Sequence, residues 1–130
     1  MINNNSIDKT LDGETEPSSP ALIDLNQLIL IIGDDQAQLK DLLTMFYQDY
    51  FLKSVQIKEA LQNHELATAQ QLAHNIAGSA QMIGAESLLF ASQAFDSSLK
   101  QGLYEPALSE RFYLSLEHTL FALNTQIETI

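Results

Sequence analysis

Apolar residues recur three and four positions apart along most of the chain, a spacing typical of amphipathic α-helices. It predicts one short helix followed by four long ones, joined by very short connections. The predicted helices span residues 24–32, 34–62, 63–83 and 85–101, and a fifth begins at Pro106. Because short connections make consecutive helices antiparallel neighbours, we predict an all-α fold, an antiparallel up-down four-helix bundle with an additional short N-terminal helix.

The predicted helix ends carry residues suited to those positions. Gly33 ends the first helix, and Asp34 or Asp35 caps the start of the second. Asn63 is the predicted N-cap of the third helix, and Gly84 follows its end. The apolar stripes of the long helices predict one shared core that contains Phe46, Leu72, Ile76, Ala80, Phe95 and Leu116.

The first 20 residues lack this periodicity and are rich in Asn, Ser, Thr, Glu and Pro. We predict a flexible N-terminal tail or linker over residues 1–20 and a helical bundle domain over 21–130. The start of the chain has neither the basic residues nor the apolar stretch of a secretory signal. Residues 66–85 carry no charged side chain, but they contain too many polar ones for a membrane-spanning helix. We therefore expect a cytoplasmic protein without membrane insertion.

The net charge of the chain limits the kinds of partner that it can bind. Acidic residues outnumber basic ones 17 to 6, which gives a net charge of −11. This balance argues against binding to nucleic acid or to an anionic membrane surface, because both require basic side chains. The chain has no cysteine, so thiolate metal sites and cysteine nucleophiles are excluded.

The third predicted helix has one apolar face and one small, uncharged face. At about 100° per residue, an arc of roughly 120° is entirely apolar and should face the core. This arc contains Leu66, Ala69, Leu72, Ala73, Ile76, Ala80 and Ile83. His74 lies on the solvent side, and its helical neighbours there are Gln70, Gln71, Ala77, Gly78 and Gln81. Exposed helix faces usually carry Lys and Glu, so this neutral face is typical of a docking surface.

Gly78 has two interpretations. A glycine within a helix costs about 1 kcal/mol relative to alanine, so its presence needs a reason. It either permits close packing or a kink, or it leaves room for a partner to approach His74. The other histidines, His64 and His118, have no such setting and are expected to be structural. No Asp or Glu stands three residues before any histidine, which disfavours a metal-binding bundle and predicts no metal site.

The segment from Ala73 to Ala85, AHNIAGSAQMIGA, resembles the signature of histidine phosphotransfer (HPt) domains of bacterial multistep two-component phosphorelays. The matching positions are Ala73, His74, Ile76, Gly78, Ser79, Ala80, Gly84 and Ala85, followed by Leu88, Phe95 and Asp96. The resemblance implies that His74 is phosphorylated on Nε2 and that Gly78 lets a partner's aspartate reach the imidazole. It also implies that Asp96 hydrogen-bonds Nδ1–H and that Ser79 has a polar role close to the phosphohistidine.

The same resemblance implies a phosphoryl carrier rather than an autonomous kinase. The expected partners are response-regulator receiver domains, including a hybrid sensor kinase in cis, and Mg²⁺ is expected on the partner receiver domain rather than in this chain. Gln70, Gln71, Ala77 and Gln81 are the expected partner-facing residues. One position departs from the family pattern, because Ala77 stands where the family usually has Lys. The alternative function is therefore a non-phosphorylated helical bundle that docks a receiver domain without phosphotransfer.

Overall fold

A computed structural model describes residues 22–130, which form five α-helices and no strand within that range. The helices are α1 (Asn26–Ile32), α2 (Gln36–Gln62), α3 (Leu66–Ala80), α4 (Glu86–Lys100) and α5 (Pro106–Thr129). The predicted all-α class is confirmed. The expectation of a tail over residues 1–20 lies outside the described residues.

Helices α2 to α5 form the bundle. Each packs against the next along the chain, and α5 closes the ring by packing against α2. Helix α1 packs against α2. Because consecutive bundle helices run in opposite directions, the topology is up-down-up-down, with the short α1 added at one end, as predicted. The closest pairing is between α3 and α4, which together form the hairpin that carries the functional site.

One apolar core runs through the bundle. Each bundle helix contributes large, fully buried side chains to it, among them Tyr50, Ile76, Phe95 and Phe112. Of the six residues predicted to share the core, Ile76, Ala80, Phe95 and Leu116 are buried in it. The remaining two, Phe46 and Leu72, are partly buried and pack against it. The apolar arc predicted on α3 therefore faces the core.

Most helices begin and end close to the residues predicted for those positions. Asp35 caps α2, and its Oδ1 accepts a hydrogen bond of 3.1 Å from the backbone N–H of Gln38. Gly33 follows α1 with a φ of 80°, a conformation that glycine adopts without strain. Pro106 is the first residue of α5, where its missing N–H removes no helical hydrogen bond.

The prediction that Asn63 caps α3 is wrong, because Asn63 ends α2 instead. The backbone N–H of Asn63 still bonds to the carbonyl of Glu59, and that of Glu65 reaches back to Ala60. His64 between them has a φ of 58°. These bonds satisfy the last carbonyls of α2, so Asn63 is not available to the next helix, and α3 starts after Glu65.

The third helix also ends three residues earlier than predicted, at Ala80 rather than Ile83. Ile83 is nevertheless buried, because the turn after α3 directs it into the core. The Ile83 carbonyl accepts a hydrogen bond of 2.8 Å from the Asp24 backbone N–H, which fixes the segment before α1 onto this turn. Gly84 has a φ of 62°, and a Cβ there would lie only 2.5 Å from the Asp24 carbonyl oxygen. Glycine is therefore required at this close approach.

None of the helices within residues 22–130 combines the length and the apolar character that crossing a membrane requires.

Candidate functional site

His74 lies in the middle of α3 on the side that faces solvent, as its helical phase predicts. Its side chain is 63% exposed. The next helix, α4, runs antiparallel to α3. His74 lies six residues before the end of α3, and Asp96 lies ten residues after the start of α4. Because helical side chains tilt towards the N-terminus of their own helix, His74 leans away from the turn and Asp96 leans towards it, which brings the two side chains together.

Asp96 holds one edge of the imidazole ring. Its Oδ2 lies 2.9 Å from Nδ1 of His74. An ionised carboxylate can only accept a hydrogen bond, so Nδ1 must carry the proton. The neutral ring then has its lone pair on Nε2, the nitrogen that is not tied to Asp96. The arrangement orients the ring and prepares Nε2 as a nucleophile.

The second oxygen of Asp96 is also engaged. Nε2 of Gln70 donates a hydrogen bond of 2.6 Å to Oδ1 of Asp96. Gln70 lies one turn before His74 on α3, so both contacts link Asp96 on α4 to the same face of α3. The carboxylate is 16% exposed, whereas the His74 ring that it holds is mostly accessible.

A shallow depression of about 220 Å³ lies beside His74 between α3 and α4. Its lining is His74, Ala77, Gly78, Gln81, Leu89, Gln93 and Asp96. Pockets that enclose small ligands usually measure about 300–1,000 Å³. The depression is thus small for a nucleotide and suits the approach of a protein surface. Leu89 and Gln93 were not predicted from the sequence, although both lie on the same face of α4 as Asp96, seven and three residues before it.

Gly78 is exposed and forms one wall of this depression. A Cβ built on it would meet no atom of the described residues within 4 Å. Close packing against another helix therefore does not explain the glycine. The open space above it adjoins His74, as the interpretation that Gly78 leaves room for a partner requires.

The expectation that Ala77 faces a partner on the solvent side requires correction. Its side chain is only 6% exposed, because α4 packs over this side of α3. Ala77 still lines the floor of the depression. The helical phase alone placed it near His74 but carried no information about which neighbouring helix covers it. The other expected partner-facing residues differ in exposure: Gln71 and Gln81 are exposed, and Gln70 is partly buried.

The position of Ser79 does not support a polar role beside His74. Its hydroxyl lies 2.8 Å from the hydroxyl of Tyr50 on α2, on the inner side of α3. It also donates to the carbonyl of Ile76 at 3.2 Å. One residue after Gly78, the helix has turned by about 100°, which carries Ser79 out of the depression and into the contact between α2 and α3.

Basic side chains do not contribute to the depression, since none of its lining residues is Lys or Arg. Lys58 lies instead over the ring of Tyr113, with Nζ 5.2 Å from the ring centroid. Lys53 pairs with Asp49 on the same helix. Lys100 is the last residue of α4 and does not line the depression. Within the part of the chain that the structure describes, the surroundings of His74 are therefore neutral apart from Asp96.

The two other histidines lie elsewhere. His64 is in the turn between α2 and α3, and His118 is exposed on α5. Neither has a hydrogen-bonded carboxylate partner among the described residues, which distinguishes both from His74.

Comparison with known proteins identifies the family. A family model described as Hpt domain matches residues 41–129, which is more than half of the chain. No curated protein and no solved structure matches the chain. The matched range contains most of α2 and all of α3, α4 and α5, including the α3–α4 hairpin. The chain therefore belongs to the Hpt domain family, whose members take part in histidine phosphotransfer in phosphorelays and interact with the receiver domains of response regulators.

Proposed function

We propose that His74 accepts a phosphoryl group from the aspartyl phosphate of a receiver domain and passes it to another receiver domain. The observation that carries this proposal is the hydrogen bond between Nδ1 of His74 and Asp96, in a ring that is otherwise 63% exposed. It leaves Nε2 as an accessible nucleophile at the edge of a depression open enough for a protein partner.

The proposed step requires no proton transfer. The Nε2 lone pair attacks phosphorus, an N–P bond forms, and the P–O bond to the receiver aspartate breaks with its electron pair leaving on that carboxylate. Nδ1 keeps its proton, so the ring becomes a phosphoimidazolium. Its positive charge faces the Asp96 carboxylate, much as the aspartate of a Ser-His-Asp triad stabilises an imidazolium. The reverse sequence releases neutral imidazole, a far better leaving group than its anion.

The partner must supply most of the charge neutralisation. Phosphoryl transfer depends on positioning and on electrostatic stabilisation of the transferring group. No basic side chain lines the depression, and within residues 22–130 no three His, Asp or Glu side chains are placed to share a metal ion. We therefore assign Mg²⁺ to the receiver domain, where it would neutralise the transferring phosphoryl group. A receiver domain in the same polypeptide, as in a hybrid sensor kinase, would supply Mg²⁺ and charge neutralisation in the same way.

A second candidate function is docking of a receiver domain without phosphotransfer. The observation that favours it is the alanine at position 77, beside a histidine without a nearby cation. The two functions differ only in whether a covalent phosphoryl group reaches the chain, so one experiment separates them.

That experiment is incubation of the chain with a panel of phosphorylated receiver domains, followed by mass measurement. Phosphotransfer predicts a gain of one phosphoryl group that is labile in acid and stable in alkali. In His74→Gln this gain should vanish, whereas the unfolding free energy should change by less than about 0.5 kcal/mol, because the side chain is exposed and glutamine retains an N–H donor for Asp96. His64→Gln and His118→Gln are the matched controls and should still be phosphorylated. Receiver binding without any mass gain would support the docking function instead.

A further inference from the structure

Gln70 and His74 hold the same carboxylate from one helix. Gln70 precedes His74 by one helical turn, so the two side chains lie on the same face of α3. Nε2 of Gln70 is 2.6 Å from Oδ1 of Asp96, and Nδ1 of His74 is 2.9 Å from Oδ2. Each carboxylate oxygen is thus assigned to one donor, and the orientation of the Gln70 amide follows because a carboxylate can only accept.

The second bond restricts how Asp96 can move. A carboxylate held only through the His74 contact can still rotate about its own side-chain torsions. A donor on the other oxygen fixes the plane of the carboxylate and, through it, the direction of the lone pair that faces Nδ1. Because only 16% of the Asp96 side chain is exposed, water has limited access to replace the Gln70 amide. Partly buried networks of this kind depend on every member.

We propose that Gln70 is a positioning residue for phosphotransfer, acting through Asp96 rather than through contact with the partner. Its amide fixes the Asp96 carboxylate so that it holds the proton of His74 on Nδ1 and keeps the lone pair on Nε2. This inference rests on the proposed function and revises the expectation that Gln70 is a partner-facing residue. Comparable outer partners of metal-binding histidines typically contribute about 10–100-fold to affinity or activity.

Gln71 provides a matched control. It is the same residue type, adjacent on the same helix, and exposed. Its Nε2 donates to Oδ1 of Asn75 at 3.1 Å and makes no recorded contact with Asp96. Methionine at either position keeps the length of the side chain and its helical preference but removes the amide donor. Each variant loses one side-chain hydrogen bond, but only Gln70→Met loses the donor to Asp96.

The first test measures the tautomer of the His74 imidazole in the absence of any partner. The ¹⁵N chemical shifts of Nδ1 and Nε2 of His74, recorded in alkaline solution where the ring is neutral, report which nitrogen carries the proton. Wild type and Gln71→Met should show the Nδ1–H tautomer, and Gln70→Met should lose this preference. An unchanged tautomer in Gln70→Met would overturn the proposal. Because this readout needs no phosphotransfer, it succeeds or fails independently of the proposed function.

The second test asks whether Gln70 acts through Asp96. With a phosphorylated receiver that labels the wild-type chain, Gln70→Met should lower the maximal transfer rate about tenfold and leave the receiver concentration at half-maximal rate unchanged. In an Asp96→Ala background, Gln70→Met should have no additional effect, because the group that it positions is absent. A rise in the half-maximal concentration with an unchanged maximal rate would instead identify Gln70 as a partner contact. Full additivity with Asp96→Ala would also contradict the proposal.

Discussion

The hydroxyl groups of Tyr50 and Ser79 lie 2.8 Å apart and join α2 to α3 at the inner side of the helix that carries His74. Tyr50 is fully buried, so this bond satisfies a polar group that has no access to solvent. It also explains why Ser79, adjacent to Gly78 in sequence, takes no part in the depression.

Two tyrosines of the bundle should respond oppositely to loss of their hydroxyl. Tyr50→Phe removes a satisfied hydrogen bond and should lower the unfolding free energy by about 0.5–1.5 kcal/mol. Tyr113 has a buried hydroxyl without a hydrogen-bond partner among residues 22–130, so Tyr113→Phe should be neutral or stabilising. Denaturant titration of the two variants measures the difference. Equal destabilisation by both would show that the hydroxyl of Tyr113 is satisfied in solution.

Alkaline pH should destabilise the fold through the same two residues. Burial raises the pKa of Tyr50 to about 12, an effect that nearby Asp49 reinforces and the bond to Ser79 opposes. Burial also raises the pKa of Tyr113 to about 12, with a smaller contribution from Tyr104. Unfolded tyrosines ionise from about pH 10, whereas the folded ones keep their protons. The unfolded state therefore binds fewer protons, and stability falls as pH rises from about 10 to 12.

The measurement is the urea midpoint across this range, compared with the double variant of Tyr50→Phe and Tyr113→Phe. The variant should lose less stability between those pH values, since it lacks both titrating groups. Parallel losses in the two proteins would assign the alkaline sensitivity to other residues.

Substitutions of Gly78 should affect the stability of the fold and the rate of phosphotransfer in different ways. Gly78→Ala should stabilise the fold by up to about 1 kcal/mol, because alanine is the better helix former and no described atom lies within 4 Å of the new Cβ. Gly78→Gln should leave the fold intact and slow phosphotransfer by obstructing the approach to His74. Ala94→Gln places the same bulk on an exposed part of α4 that does not line the depression, and it should transfer normally. Destabilisation by Gly78→Ala would show that packing, not access, accounts for the glycine.

Ala77→Lys should lengthen the lifetime of phosphorylated His74. Ala77 is buried in the floor of the depression, so the longer side chain would have to extend along the depression, which brings its ammonium group towards the ring. The overpacking should lower the unfolding free energy by about 1–3 kcal/mol. Phosphorylation adds nearly two negative charges, which this cation would offset. Hydrolysis of the isolated phosphoprotein at low salt measures the effect, and Ala94→Lys controls for the change in net charge. Faster hydrolysis would indicate that the new lysine draws Asp96 away from His74.

Two glycines with similar backbone angles should differ in their tolerance of alanine. Gly84 and Gly102 have φ values of 62° and 77°, so either substitution places a side chain in a left-handed conformation that costs roughly 1–2 kcal/mol. At Gly84 the new Cβ would also lie 2.5 Å from the Asp24 carbonyl oxygen, whereas at Gly102 no described atom is within 4 Å. Gly84→Ala should therefore destabilise the protein more. Equal losses of stability in thermal melts of the two variants would mean that the segment around Asp24 can move away from the new Cβ without a loss of stability.

The sequence was most informative where periodicity alone decides the outcome. The apolar arc of α3 fixes its rotation in the bundle, so the burial of Ile76 and the exposure of His74 could both be predicted from spacing. The contact between His74 and Asp96 was indicated by the family resemblance and not by spacing.

Other features depend on contacts between segments that periodicity does not describe. Ala77 is buried because α4 covers it, and α3 ends at Ala80 although Ile83 continues the apolar arc. The turn between α3 and α4 is held by a hydrogen bond from the backbone N–H of Asp24 to the carbonyl of Ile83, two residues almost 60 positions apart in sequence. The bond from Gln70 to Asp96 likewise requires the lateral position of α4, which no spacing within α3 specifies.

The hydrogen bond between Asp96 and His74 has a consequence for the direction of transfer under the proposed function. Because Nδ1 keeps its proton in both the loaded and the unloaded ring, the same geometry serves arrival and departure of the phosphoryl group. The domain is regenerated after each round, so it does not alter the equilibrium between two receivers. Net flux would follow the relative abundance and phosphorylation potential of the receivers, so a change in their concentrations alone would suffice to run the exchange backwards.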